Sequence, residues 1–464
     1  MQNTKKDNRE ELLTQSPFQL MLRLSIPAIV GMLVIGMYNM VDAVYVGQLI
    51  SPAAMGAISV VYPFTLINSG IATLIGVGSS SVLSRAIGKN DTATIHKIMG
   101  NLLVSILILS VFSTLAGTVF ARRLLIISGA TGEILELAIR YIRVVFCGSA
   151  LVNFAQSANM ILRAQGMMKR AMVLMGVGAV IDMILSPIFI LTWGERGLEG
   201  AAFANIIAQL IQVILTLHYF IKKSDTVRFC GLRLAPELLP QILGVGVSAM
   251  LMQVMSMVQQ TVLYNVASQN GGDSDIILFG AALRVVGFAF IPMWGMSQGL
   301  QPIVGTNYGA KKYDRVIKTT NIFFIGATVL ALVFWIPIQL FPAGFLSLFI
   351  KDAAIVAQGV DNFRLFFAIF PTLGVMIMSL TLFQALGKGT KAAVLTLLRQ
   401  IVLFVPLAFL LPRVWGIKGA WLANPITDMV VLILAVIMVA GEYRSLKKAA
   451  ADVPLTDKFL RYFG

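Results

Sequence analysis

Charge is scarce in this chain. Only 12% of its 464 residues are charged, against 58% hydrophobic. A water-soluble globular protein carries roughly 25% charged residues. So sparse a set cannot cover a surface facing water, and lipid is the expected solvent. Two cysteines and two histidines are also few. Cys147 and Cys230 lie far apart in sequence, and His96 and His218 stand near the ends of apolar runs with no partner at ligand spacing. Neither a disulfide framework nor a metal site is indicated. No glycine-rich phosphate loop of the G-x-x-x-x-G-K-[S/T] type occurs, so ATP does not drive the protein directly. No carboxylate pair, nucleophile triad or metal cluster supports catalysis. An enzyme is not expected, and no cofactor beyond a coupling ion.

The apolar residues gather into about twelve runs of about 20 residues or more, the length that crosses roughly 30 Å of hydrocarbon as a helix. The expected spans are 19–47, 53–83, 96–120, 134–161, 170–192, 200–221, 238–268, 276–304, 317–341, 358–386, 392–412 and 418–441. Barrel strands alternate apolar and polar residues over about ten positions. These runs are continuously apolar, so the fold class is an all-α integral membrane protein of twelve transmembrane helices. Met1 to Ser16 is polar, and the run after it is too long for the core of a secretory signal, so it is read as a retained first helix.

The first half of the chain recurs in the second. Ala86-Ile87-Gly88 through Lys97 matches Asn307-Tyr308-Gly309 through Lys318, and Ala164-Gln165-Gly166 through Ala171 matches Ala385-Leu386-Gly387 through Ala392, both at an offset of 221. Gly197 to Asn205 matches Gly416 to Asn424 at an offset of 219. Membrane proteins of two similar halves are typically transporters, with the substrate held where the halves meet. The domain expectation is a tail 1–16, a first lobe 17–221, a linker 222–237, a second lobe 238–441 and a tail 442–464.

The net charge of +15 could suggest a nucleic acid, but its distribution reports topology instead. Basic residues crowd the loops after even-numbered spans, as with Lys222, Lys223, Arg228 and Arg233 after the sixth and Lys311, Lys312, Arg315 and Lys318 after the eighth. The positive-inside rule then places these loops and both termini in the cytoplasm, in a multi-pass protein of the cell's inner membrane. No nucleic acid is expected as a partner. An even number of helices per half gives both halves the same orientation, a parallel repeat. The stretch from Glu442 to Gly464 reads either as a short helix on the inner surface or as a disordered tail.

Charges inside membrane helices are costly and commonly functional. Asp42 falls in the first span, Asp182 in the fifth, Asp428 in the twelfth and Arg284 in the eighth. Asn39, Asn68, Asn153, Gln156, Asn159 and Asn205 add uncharged polarity to the first half, and Asn153, Gln156 and Asn159 share one helix face. Loss of water penalises the charged form of a carboxylate. An aspartate in an apolar cleft therefore exchanges protons readily, and two of them can exchange protons for a cationic substrate. The competing reading makes Asp42 and Asp182 structural, and Asp428 and Arg284 a charge pair. Pro27 removes a backbone bond from the first helix, which gives either a static kink or a gate. The seventh span carries Gln253, Gln259 and Gln260 but no acid. Its methionines, with Met293 and Met296 of the eighth, serve either packing or an adaptable apolar ligand surface.

Asn39-x-x-Asp42-x-x-Tyr45-Val46-Gly47, with Ser25-Ile26-Pro27 before it, resembles the opening of multidrug and toxic compound extrusion (MATE) transporters. The Gly88 loop, the Arg163-Ala164-Gln165-Gly166 turn, the Gly197 to Asn205 motif and their second copies are similar to that family too. The resemblance spans about residues 16 to 446. It implies two pseudo-symmetric six-helix lobes facing each other in a V, and export of organic, often cationic, amphipathic compounds in exchange for H+ or Na+ by alternating access. It implies ion coupling at Asp42 and Asp182, as in the proton-linked bacterial branch, and a gating bend at Pro27. It implies a cleft network of Tyr38, Asn39, Asn68, Asn153, Gln156, Asn205 and Gln259. The fifth helix of many members reads Asn-x-x-x-Asp-Pro; this chain has Asp182 and Ser186-Pro187, so its acid sits one turn earlier. Na+ near Asp42 remains open, and a single chain already holding both halves is expected to work as a monomer. The alternative within the superfamily is a lipid-linked oligosaccharide flippase, which would need several basic groups deep in the cleft.

Overall fold

The computed structural model describes residues 8–128, 130–224, 226–229 and 231–451, apart from the side chains of Asn39, Met40, Ala43, Val44, Gly47, Pro52 and Ile127. Cys230 and the tail from residue 452 onward lie outside it. Among the described residues the chain is helical, without strands. The first half comprises α1 (Asn8–Thr14), α2 (Pro17–Leu49), α3 (Pro52–Lys89), α4 (Thr92–Val119), α5 (Ala121–Ile127), α6 (Gly132–Cys147), α7 (Ser149–Ala164), α8 (Met168–Trp193) and α9 (Gly197–His218). The second comprises α10 (Leu239–Asn270), α11 (Asp273–Gly309), α12 (Tyr313–Leu340), α13 (Pro342–Ser347), α14 (Ala353–Phe366), α15 (Thr372–Ala385), α16 (Gly389–Leu397), α17 (Phe404–Trp415) and α18 (Ile417–Ala451).

Every expected span has a counterpart. Nine helical stretches of the described residues are long and apolar enough to cross a membrane, and one of them, Met168–Lys223, contains both α8 and α9. The fourth and tenth spans are interrupted instead, at Gly148 between α6 and α7 and around Pro371 between α14 and α15. The two interruptions fall in the same place of the repeat. The second and eighth spans outrun their expected ends, continuing to Lys89 and Gly309.

The repeat is written into the turns. α7 ends at Gly166 (φ 76°) and α15 at Gly387 (φ 78°), both left-handed. In each turn two amides close back on the helix: Gly166 N–H donates to Arg163 C=O and Met167 N–H to Leu162 C=O, and Gly387 and Lys388 repeat the pattern on Gln384 and Phe383. This is a Schellman ending, which glycine enters without a Cβ penalty. Asn90 (φ 60°) and Lys311 (φ 58°) form a second matched pair, after α3 and α11.

The chain divides into two compact units. Of the described residues, the N-terminal unit takes those within Ile26–Leu83 and Thr92–Met257, and the C-terminal unit those within Met1–Ser25, Ser84–Asp91 and Val258–Gly464. α2, α3 and α10 therefore each contribute to both. In the N-terminal unit, α3 and α10 touch backbone to backbone: a Cβ on Gly78 would overlap the Ile242 carbonyl, and one on Gly246 the Leu74 carbonyl. The C-terminal unit repeats this crossing with α2 and α11, where Gly299 lies against Ser25. Lipid tails offer helices no hydrophobic contrast, so small residues that admit close backbones drive such contacts. The N-terminal unit also packs Ala54, Ala57, Ala121, Ala138, Phe146 and Ile190 into one apolar core.

Candidate functional site

Within the N-terminal unit, α2 and α8 run side by side in parallel. Tyr38 Oη donates to Asp182 Oδ2, and four residues further along each helix Ser186 Oγ donates to Asp42 Oδ1 at 3.1 Å. Both contacts span 144 residues of sequence, so the helices stay in register for a full turn. Asn205 of α9 completes the group, its Nδ2 donating to Asp182 Oδ2 at 2.9 Å and to Tyr38 Oη at 3.0 Å. Tyr38 and Asp42 are one turn apart on α2, as are Asp182 and Ser186 on α8, which puts each pair on one helix face.

The one-turn displacement of the helix 5 acid thus has a structural counterpart. The serine meets Asp42, and the acid meets the tyrosine and asparagine. Asp182 is only 2% exposed. Its Oδ2 accepts two hydrogen bonds, while its Oδ1 has no partner among the described residues. A buried carboxylate oxygen without a donor is costly. Asp182 is one of the residues lining a cavity of about 150 Å3, whose other polar lining is Tyr38, Gln156, Gln209 and Gln212, the rest being apolar or glycine.

The other expected residues fall into separate places. Asn153 Nδ2 donates to Asn68 Oδ1 at 3.3 Å and Ser110 Oγ at 3.0 Å, and Ser113 Oγ donates to Asn68 Oδ1 at 2.9 Å. These form a buried polar cluster of α3, α4 and α7. Gln156 accepts from Ser69 at 3.3 Å and faces the cavity. Asn159 is structural: it accepts from Arg163 Nε and donates to the Ala171 carbonyl, both at 2.7 Å. The Asn39 side chain lies outside the described residues. Pro27 lies inside an unbroken α2, two residues after that helix passes from one unit to the other.

Gln259 belongs to the C-terminal unit, where its Nε2 donates to Asn424 Oδ1 at 2.8 Å. The residues correspond to Tyr38 and Asn205 of the first half, so the same bridge recurs without the acids. Asp428 does not pair with Arg284. Arg399 donates to it at 2.6 and 3.4 Å, while Arg284 lies 5.8 Å from the Phe349 ring centroid. Arg399 lies in the π-helical segment Leu398–Val402 between α16 and α17, and the pairing depends on that segment packing against α18. Met293 and Met296 are buried core residues. Gln209 and Gln212 were not anticipated. Their spacing of three on α9, in line with Asn205, was the available signal.

A family model described as MatE matches residues 27–188 and 246–410, one stretch in each half. The chain is 25% identical over 438 residues to the multidrug export protein MepA of Staphylococcus aureus (strain MRSA252), covering 94% of this chain and 96% of that protein. It is 25% identical over 462 residues to an FAD transporter of Shewanella oneidensis, covering 96% of this chain and 99% of that one. A crystal structure of MATE in the bent conformation matches with a TM-score of 0.90 at 28% identity, covering 96% of this chain and 99% of that one.

Proposed function

The chain belongs to the MatE family, a family of multidrug efflux transporters with twelve helices rather than of enzymes, and from that premise we propose that it is a secondary antiporter. It exports organic, cationic or amphipathic small molecules from the cytoplasm in exchange for H+, with Na+ as the alternative coupling ion and no other cofactor. Asp42 is the coupling group and Asp182 its partner acid. The reading keeps two six-helix lobes rocking between inward- and outward-open states, a bend of α2 at Pro27 as the gate, cytoplasmic termini and a working monomer.

The observation that carries this reading is the juxtaposition of Asp42 and Asp182 on neighbouring, in-register helices. Asp42 has one hydroxyl donor, Ser186, and no cation partner among the described residues. A carboxylate so placed changes charge by gaining a proton rather than by changing its counter-ion. Taking up a proton from outside neutralises the site and releases a cation, and losing it to the cytoplasm restores the attraction. An anionic cargo of dinucleotide type fits two carboxylates poorly. The flippase alternative needs free basic groups deep in the helices, and Arg399 is already paired with Asp428.

The test uses purified protein in liposomes with a fluorescent cationic dye and an imposed pH gradient without Na+. Wild type is expected to move the dye, and Asp42→Asn to lose at least about ten-fold in rate, about 1.4 kcal/mol. Movement that requires Na+ replaces the ion. Gradient-driven movement that persists in Asp42→Asn removes the coupling role from that residue.

A further inference from the structure

The end of α3 belongs to the first half of the chain by sequence but to the C-terminal unit in space, since that unit takes Ser84–Asp91. There it crosses the end of α11 backbone to backbone. A Cβ on Gly88 would stand 2.1 Å from the Thr306 carbonyl oxygen, and one on Gly309, its repeat equivalent, 2.1 Å from the Arg85 carbonyl oxygen. So close an approach leaves no room for side chains between the two backbones.

The short helix α1 is tied to both partners of this crossing. Arg9 Nε donates to the Ile87 carbonyl at 2.8 Å, and its Nη2 donates to the Gly88 carbonyl at 3.2 Å. From the other partner, donors at the end of α11 and in the turn into α12 reach the carbonyls with which α1 ends. Asn307 Nδ2 donates to Leu12 C=O at 3.0 Å and Lys312 Nζ to Leu13 C=O at 3.3 Å. Arg315 Nη2 donates to Leu12 C=O at 3.3 Å and also to Gln15 C=O. The last carbonyls of a helix lack intrahelical partners and carry partial negative charge, so two cations and an amide suit them. Leu12 and Leu13 are themselves buried.

These donors are not part of the repeated framework. At the offset of 221, Asn307, Lys312 and Arg315 correspond to Ala86, Asp91 and Thr94. The grip is specific to the half on which α1 docks. A helix of seven residues is too short to persist by itself in water, so α1 keeps its form only while docked. An element held by a few polar contacts at loop ends also opens at lower free energy than a packed core. The attachment is therefore built to be reversible.

We propose that α1 is a clasp on the crossing of α3 with α11: docked, it holds the two helix ends together, and its release lets them part in each transport cycle. Arg9 and Arg315 are its positioning residues. The proposal rests on the reading of the protein as an alternating-access transporter with a cytoplasmic amino terminus. It gives that reading a controlled step at the helix ends, separate from ion coupling at Asp42.

The experiment measures spin-label distances by double electron–electron resonance in the full-length protein in lipid nanodiscs. The labels are placed at Lys89→Cys on the end of α3 and Lys318→Cys on α12, both exposed positions, with Cys147 and Cys230 replaced by serine. Wild type is expected to give one dominant short distance. Arg9→Gln removes the grip on α3 and is expected to raise the ratio of separated to closed molecules about ten-fold or more. Arg315→Gln removes a grip on α1 and acts in the same direction; should Arg9→Gln fail to fold, it carries the test. Arg9→Lys keeps the charge but loses the fork of nitrogens, and falls between wild type and Arg9→Gln. An unchanged distance distribution in both glutamine variants overturns the clasp even where the thermal midpoint falls, because α1 is then a structural prop alone. A wild type already dominated by separated molecules overturns it as well. The liposome dye assay on the wild-type protein separates the two readings. Dye transport with distances that ignore both variants sinks the clasp and leaves the antiporter. Distances that shift as expected without dye transport keep the clasp and sink the antiporter.

Discussion

Asp42 and Asp182 lie on neighbouring helices yet have different surroundings. Asp42 takes one serine hydroxyl, whereas Asp182 is held on one oxygen by Tyr38 and Asn205 and left bare on the other. All four of Tyr38, Asp42, Asp182 and Asn205 were legible as polar residues in apolar runs, because such residues are rare enough to stand out. Which met which was not legible, since a one-turn shift along α8 exchanges the partners. The turn glycines show a simpler determinism. Ala at Gly166 must adopt a left-handed backbone, which costs about 1 kcal/mol. Ala at Gly387 meets the same strain and also displaces the Arg85 guanidinium, which its Cβ would overlap. Thermal unfolding in detergent is expected to rank Gly387→Ala below Gly166→Ala, and both below wild type.

Among the elements, the polar inventory of the repeat is lopsided. Gln259–Asn424 preserves the Tyr38–Asn205 bridge, but at the offset of 221 Leu263 stands at the place of Asp42 and Leu403 at that of Asp182. The second half keeps the framework and gives up the acids. Its own buried charge pair, Arg399–Asp428, has the thermodynamics of a coupled unit. Removing one member leaves an uncompensated charge, at about 3 kcal/mol or more, while replacing both with apolar residues is closer to neutral. Chemical unfolding of Arg399→Met, Asp428→Leu and the double variant is therefore expected to find each single variant less stable than the double; a double variant equal to the sum of the singles counts against direct coupling. Sequence reading missed this pair because Arg399 lies within a turn or so of a basic loop, where charge is ordinary.

At the scale of the whole molecule, α2 and α10, which open the two halves, each pass from one compact unit into the other. Pro27 lies just past the passage of α2. Proline has no amide to donate, so bending there breaks one bond fewer. Under the proposed gating role, Pro27→Ala is expected to slow gradient-driven dye transport about ten-fold while dye binding at equilibrium changes little. Equal loss of binding and transport would assign Pro27 to the site rather than to the gate.

The membrane, the helices, the repeat and its turns were determined by sequence alone, because each depends on local quantities: run length against bilayer thickness, and backbone angles that glycine enters freely. The interruptions at Gly148 and Pro371, the crossing of α3 with α10, the exchange of partners between Asp182 and Ser186, and the cavity beside Gly178 were decided by tertiary structure. Each depends on the register and separation of helices distant in sequence. In an apolar span nearly every face is hydrophobic, so periodicity carries little record of which face meets which neighbour.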